Sequence, residues 1–178
     1  MDIDKTLPIS ENLVYRNNPL AIVVLDSKNL VTTIQDMDQI HRSMGMRMFG
    51  YHYFIAKDGS IYRGRPENAF ACNIESVLVH TYSSLISSGE SPLLQASTPE
   101  STDATMIQSV DRIFICLEGN TDYQPIPPAQ RSSLVALAAD IKSRQRNIRN
   151  VYSLAEIYPQ FNNLGKFVFK FFLTNSSL

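Results

Sequence analysis

Gly50-Tyr51-His52-Tyr53-Phe54-Ile55-Ala56-Lys57-Asp58-Gly59-Ser60-Ile61-Tyr62-Arg63-Gly64-Arg65 carries the strongest topological signal in the chain. Residues 51–56 and 60–63 both read as strands, being dense in aromatic and aliphatic side chains. Between them lies Asp58-Gly59, a dipeptide suited to a tight turn because both central positions then take positive φ. An antiparallel hairpin is predicted here.

On the N-terminal side, Ala21-Ile22-Val23-Val24-Leu25 is a continuous apolar run, which suits a strand buried on both faces. Ile34, Met37, Ile40, His41 and Met44 then recur at helical spacing, with Thr33 as N-cap and Gly45 as the stop. On the C-terminal side, Ile113-Phe114-Ile115-Cys116-Leu117 is a second buried strand. Pro127-Pro128 precedes an amphipathic helix over 129–146, with Leu134, Leu137, Ala138 and Ile141 facing inward and Arg131, Lys142 and Arg144 outward. Strands alternating with helices predict an α/β fold: one domain with a central mixed β-sheet flanked by helices.

Three segments stand apart. Residues 1–19 are polar, hold Pro8 and Pro19, show no period, and read as an extended N-terminal arm; the domain proper spans 20–178. Residues 75–110 are rich in Ser, Thr and Pro and read as a surface insertion, with a short helix over 76–85. Residues 166–173 carry Phe167, Phe169, Phe171 and Phe172, as a last strand or a packing tail.

The chain has 178 residues, enough for one domain that buries about 70% of its unfolded surface. Its 16 basic and 17 acidic residues leave a net charge of −1, which argues against nucleic acid and anionic membranes as partners. No apolar run approaches the roughly 20 residues of a membrane span, and no signal-peptide stretch opens the chain. The expected location is the cytoplasm or a virion. Cys72 and Cys116 make neither a disulfide scaffold nor a paired metal motif, and read as buried thiols.

The hairpin stretch, together with His41, Ile115-Cys116-Leu117-Glu118-Gly119-Asn120 and Pro128-Ala129-Gln130, resembles the zinc-dependent N-acetylmuramoyl-L-alanine amidases, including phage endolysins and peptidoglycan recognition proteins. That resemblance runs from about residue 20 to 173, interrupted by the insertion. Amidases of this family hold zinc with two histidines and a third ligand, leaving a position open for water. Carried over residue by residue, the three ligand positions fall on Leu25, Leu154 and Asn162, none of which suits zinc. The position of a catalytic lysine or threonine falls on Gln160. The resemblance therefore implies a degenerate member with no catalytic residues, no metal and no cofactor. Its vestigial cleft would be lined by Tyr51, His52, Arg65, Asn73, Tyr158 and Gln160.

Asp26 and Glu156 flank the lost ligands. Adjacent strand residues point to opposite faces, so Asp26 is expected to miss the old site, whereas Glu156, placed in a loop, is less constrained. His41 and His52 read as packed core histidines, and His80 in the insertion has no partner legible from sequence. The leading expectation is a non-enzymatic structural or interaction module with a protein partner in a larger assembly, such as a bacteriophage tail or baseplate. The alternatives are a pseudoenzyme that binds a peptidoglycan fragment, a regulator that binds a host protein and, last, an active hydrolase with substituted metal ligands.

Overall fold

The computed structural model describes residues 5–6, 13, 15, 18–28, 33–43, 45–71 and 112–157. Met44, Cys72, Asn73, His80, Tyr158, Gln160, Asn162, the 75–110 insertion and the 166–173 segment lie outside these residues.

Six strands form one mixed sheet among the described residues. They are β1 (Lys5–Thr6), β2 (Ala21–Asp26), β3 (Tyr53–Ile55), β4 (Ile61–Arg63), β5 (Arg112–Leu117) and β6 (Asn150–Ser153), in the order β1-β4-β3-β5-β2-β6. Only β3 and β4 pair antiparallel; the other pairs are parallel. The helices are α1 (Ile34–Ser43), α2 (Pro128–Arg144) and the single turn α3 (Leu154–Ile157).

The apolar run of β2 is central because both faces must be covered. Ile22 and Val24 join Tyr53, Ile55, Ile113, Ile115 and Leu117 under Leu134, Leu137, Ala138 and Ile141 of α2. Val23 and Leu25 join Phe54, Phe114 and Cys116 on the other face, with Ile34 and Met37 of α1, Phe49, Tyr51 and Leu154. The sheet is thus sandwiched between α2 and α1, as period-2 alternation on doubly buried strands requires.

The α1 boundaries follow local chemistry. Thr33 Oγ1 accepts from the Asp36 N–H at 3.2 Å, and the Asp36 carboxylate accepts from the Thr33 N–H at 3.1 Å, a reciprocal cap. Gly45 has φ 83°; its N–H reaches Arg42 O and that of Met46 reaches His41 O, which ends the helix in a Schellman motif. Ile40, which shares the helical spacing, is 42% exposed, because the buried stripe runs through Ile34, Met37 and His41.

The hairpin forms with a different turn. The Gly59 N–H reaches Ala56 O and the Ala56 N–H reaches Ser60 O, so Lys57-Asp58-Gly59 is a three-residue loop. Gly59 has φ 91°, and Asp58 does not share its positive φ. This is a turn followed by a left-handed glycine, not a two-residue turn with both positions left-handed. The strands are correspondingly shorter than the predicted 51–56 and 60–63, and α2 spans Pro128–Arg144 where 129–146 was expected.

The polar N-terminal stretch contributes directly to the sheet. Lys5 and Thr6 pair in parallel with Tyr62 and Arg63 of β4, and Tyr15 bridges Ala69.

Candidate functional site

Parallel strands present their carboxyl ends along one edge of a sheet, and sites in such folds form there. Leu25 near the end of β2, Cys116 in β5 and Leu154 just past β6 meet at this edge. Leu25 is in register with Cys116, and Val24 with Ser153, so Leu154 continues the register beside Leu25. Leu25 is 2% exposed and Leu154 3%, in one apolar cluster with Tyr51, Phe54, Phe114 and Cys116. Two of the three positions that sequence resemblance marks as ligands are therefore brought together.

Asp26 points the other way. Its carboxylate accepts from the Thr121 N–H at 2.9 Å, from the Thr121 hydroxyl and from the Lys28 N–H at 3.2 Å. The Lys28 ammonium lies 3.0 Å from Asp26 and 2.8 Å from Asp122, nearly buried between them. Lys28 adopts φ 55°. Beside it, the Ser27 hydroxyl accepts from the Gly119 N–H at 3.0 Å. These contacts tie the end of β2 to the loop after β5. They span more than 90 residues of sequence, so no local pattern announces them.

Glu156 is also committed. It lies in α3, where its Oε2 accepts from the Ser153 N–H at 2.6 Å and the Ser153 hydroxyl at 2.8 Å. The Ser153-x-x-Glu156 spacing is a capping-box signal. The expectation of a less constrained loop carboxylate is corrected accordingly. Among the described residues, no group of three or more His, Cys, Asp or Glu side chains is placed to hold a metal ion.

The described cleft candidates are built into the fold. Tyr51 is 2% exposed and meets His41 and Phe49 edge-on at 5.2 and 5.4 Å. His52 is fully buried: its Nδ1 accepts from the Phe114 N–H at 3.0 Å, which leaves Nε2 to donate to Ala69 O at 3.0 Å. Arg65, half-buried, donates from Nε to Phe49 O at 3.0 Å and from Nη1 to Phe70 O at 2.8 Å. His41, also fully buried, accepts at Nδ1 from the Gly50 N–H at 2.9 Å. Burial, reinforced by the nearby Arg65 charge and opposed by Asp38, lowers its pKa to about 4.

Two further polar residues matter. Gln130, 1% exposed, donates from Nε2 to Ile55 O at 2.8 Å and Glu118 O at 3.1 Å, fastening the first turn of α2 to β3 and to the residue after β5. It belongs to the Pro-Ala-Gln motif, where its burial is the missed information. Glu67 accepts from the Tyr53 hydroxyl at 2.6 Å, from both terminal nitrogens of Arg144 at 2.9 and 2.8 Å, and from Gln145 at 2.8 Å. Burial pushes the Tyr53 hydroxyl up to about 12, and the Glu67 carboxylate adds to this. Burial pushes Glu67 up, but its hydrogen bonds outweigh that and hold it below its ordinary value.

A model of the N-acetylmuramoyl-L-alanine amidase family matches residues 16–159. The fold is similar to that of the endolysin amidase LysCS from Clostridium intestinale URNW, at 25% identity over 88% of this chain and 93% of that one, with a TM-score of 0.59. It is also similar to Drosophila PGRP-LB, at 14% identity over 93% of this chain and 86% of that one, with a TM-score of 0.65. The Ph2119 endolysin from a Thermus scotoductus bacteriophage matches at 15% identity over 80% and 77%, with a TM-score of 0.56. Comparison with curated proteins gives no significant match. The family model covers most of the chain: this chain belongs to the N-acetylmuramoyl-L-alanine amidase family.

Proposed function

We propose that this chain is a catalytically inactive amidase-fold protein that acts as a structural or interaction module. The observation that carries the reading is the pair Leu25 and Leu154. Both stand where the family resemblance calls for a zinc-binding histidine, and both are buried in one apolar cluster. A leucine side chain has no lone pair to give a metal, and a catalytic zinc needs three protein ligands. The neighbouring carboxylates do not replace them, since Asp26 is engaged by Lys28 and Thr121, and Glu156 caps α3. The residues present do not fit zinc, so no hydrolytic step through a metal is assigned.

The partner we favour is a protein in a larger assembly, and the setting a bacteriophage particle such as a tail or baseplate. Support comes from the phage endolysin among the structural neighbours and from the N-terminal residues that add a strand to the sheet edge. A peptidoglycan fragment is less favoured as ligand. Both ring nitrogens of His52 are used inside the fold, and the Arg65 guanidinium is held by backbone carbonyls.

The test incubates purified protein and added zinc with intact peptidoglycan sacculi, with an active amidase as control. The expected result is no release of cleaved peptide and no saturable retention. Peptide release would overturn the reading, and saturable retention without release would make peptidoglycan the partner.

A further inference from the structure

We propose that His41 is an acid-sensitive latch whose protonation releases residues 49–51 and loosens the sheet face that carries Tyr51. The inference goes beyond the proposed function and holds whether or not that function is correct.

The geometry fixes the proton. Nδ1 accepts from the Gly50 N–H at 2.9 Å, so in the closed state the neutral ring carries its hydrogen on Nε2. Nε2 has no hydrogen-bond partner among the described residues, and the ring is fully buried. Phe49 lies 5.2 Å away, tilted by 30°, and Tyr51 stands edge-on at 5.2 Å. Protonation would set an Nδ1–H against the Gly50 N–H, two donors with no acceptor between them. It would also place a cation beside two aromatic side chains in a position closed to bulk solvent.

The surrounding charges do not rescue the cation. Arg65, from the loop after β4, opposes it. Asp38, one turn earlier on α1, favours it: one carboxylate oxygen accepts from Arg42 at 2.8 Å and the other is buried with no hydrogen-bond partner among the described residues, but burial and Arg65 outweigh its effect. Arg65 also holds the 49–51 segment: its Nε donates to Phe49 O and its backbone N–H donates to Tyr51 O. Gly64 packs so closely that a Cβ there would lie 2.5 Å from the Phe49 ring and 2.6 Å from Tyr51 O. Relief of the donor clash separates the His41 ring from the Gly50 N–H, and the close packing of Gly64 makes that separation disturb residues 49–51.

The size follows from linkage. The closed state holds His41 near 4 and an opened state returns it to its ordinary 6.5. The opening equilibrium then rises about 30-fold between pH 7.5 and pH 5.

The experiment measures hydrogen exchange at the Gly50 amide in the full chain, corrected for intrinsic pH dependence, in the wild type and in His41→Asn. Asparagine keeps an acceptor near the Nδ1 position and cannot titrate. The expected result is an opening constant about 30-fold larger at pH 5 in the wild type and unchanged in the variant. A pH-independent constant in the wild type, or an equal rise in the variant, would overturn the proposal. Should His41→Asn fail to fold, ring-nitrogen NMR of the wild type decides. Nδ1 staying unprotonated down to about pH 5 supports the latch, and ordinary titration near 6.5 with Gly50 still protected overturns it.

Discussion

Replacing Gln130 with alanine probes how α2 is fastened to the sheet. In the native fold the side-chain amide donates to Ile55 O at 2.8 Å and to Glu118 O at 3.1 Å. Ile55 O keeps a second donor, the Glu118 N–H at 2.9 Å, but Glu118 O loses the bond that Gln130 supplies. A buried acceptor left without its partner costs about 1–3 kcal/mol, and the weakened environment of Ile55 O adds a smaller amount. The expected destabilisation is about 2 kcal/mol, or a fall of about 1 M in the urea midpoint for a slope near 2 kcal/mol/M. Urea unfolding followed by circular dichroism measures it. Gln35→Ala, on the exposed face of α1, is the control and should shift stability by less than about 0.5 kcal/mol. If Gln130→Ala matched that control, the amide would not be what holds α2 in place.

Three further outcomes follow from the same structure. Lys28→Met leaves the carboxylates of Asp26 and Asp122 without their shared ammonium and should cost about 3–5 kcal/mol in thermal unfolding, with partial recovery on adding Asp122→Asn. Gly59→Ala meets a φ of 91°, and its Cβ would sit 3.0 Å from Ser133 Oγ and 3.1 Å from Ala129 O, so a loss of at least about 1 kcal/mol is expected. Glu67 is depressed below its ordinary 4.5 in the fold, so its contribution is complete above that pH and is lost as pH falls through the folded value. Glu67→Gln should therefore lower stability at pH 7 and flatten its decline below about pH 4.5, as read by denaturation across pH.

What the sequence revealed was local. Asp58-Gly59 marked the hairpin because a sharp reversal needs a left-handed residue, although the loop proved one residue longer than the dipeptide suggests. The run at 21–25 and the stripe at 134–141 gave β2 and α2 because apolar periodicity follows burial. Leu25 and Leu154 are marked by resemblance, and the fold buries both in one apolar cluster. What stayed hidden was non-local and polar. Lys28 meets Asp122 across 94 residues, and Arg144 meets Glu67 across 77, with no periodicity to connect them. Helical spacing alone does not separate Ile40, which is exposed, from Ile34, Met37 and His41, because a helix buries a narrower stripe than all its apolar spacings allow. Glu156 was read as a loop side chain although Ser153-x-x-Glu156 carried a helix-start signal.

The proposal is an amidase fold in which Leu25 and Leu154 stand at two of the zinc-ligand positions. Elemental analysis of the purified chain, after equilibration with equimolar zinc and gel filtration, tests it most directly. The account predicts no zinc above the buffer blank, whereas one tightly held zinc per chain would contradict it.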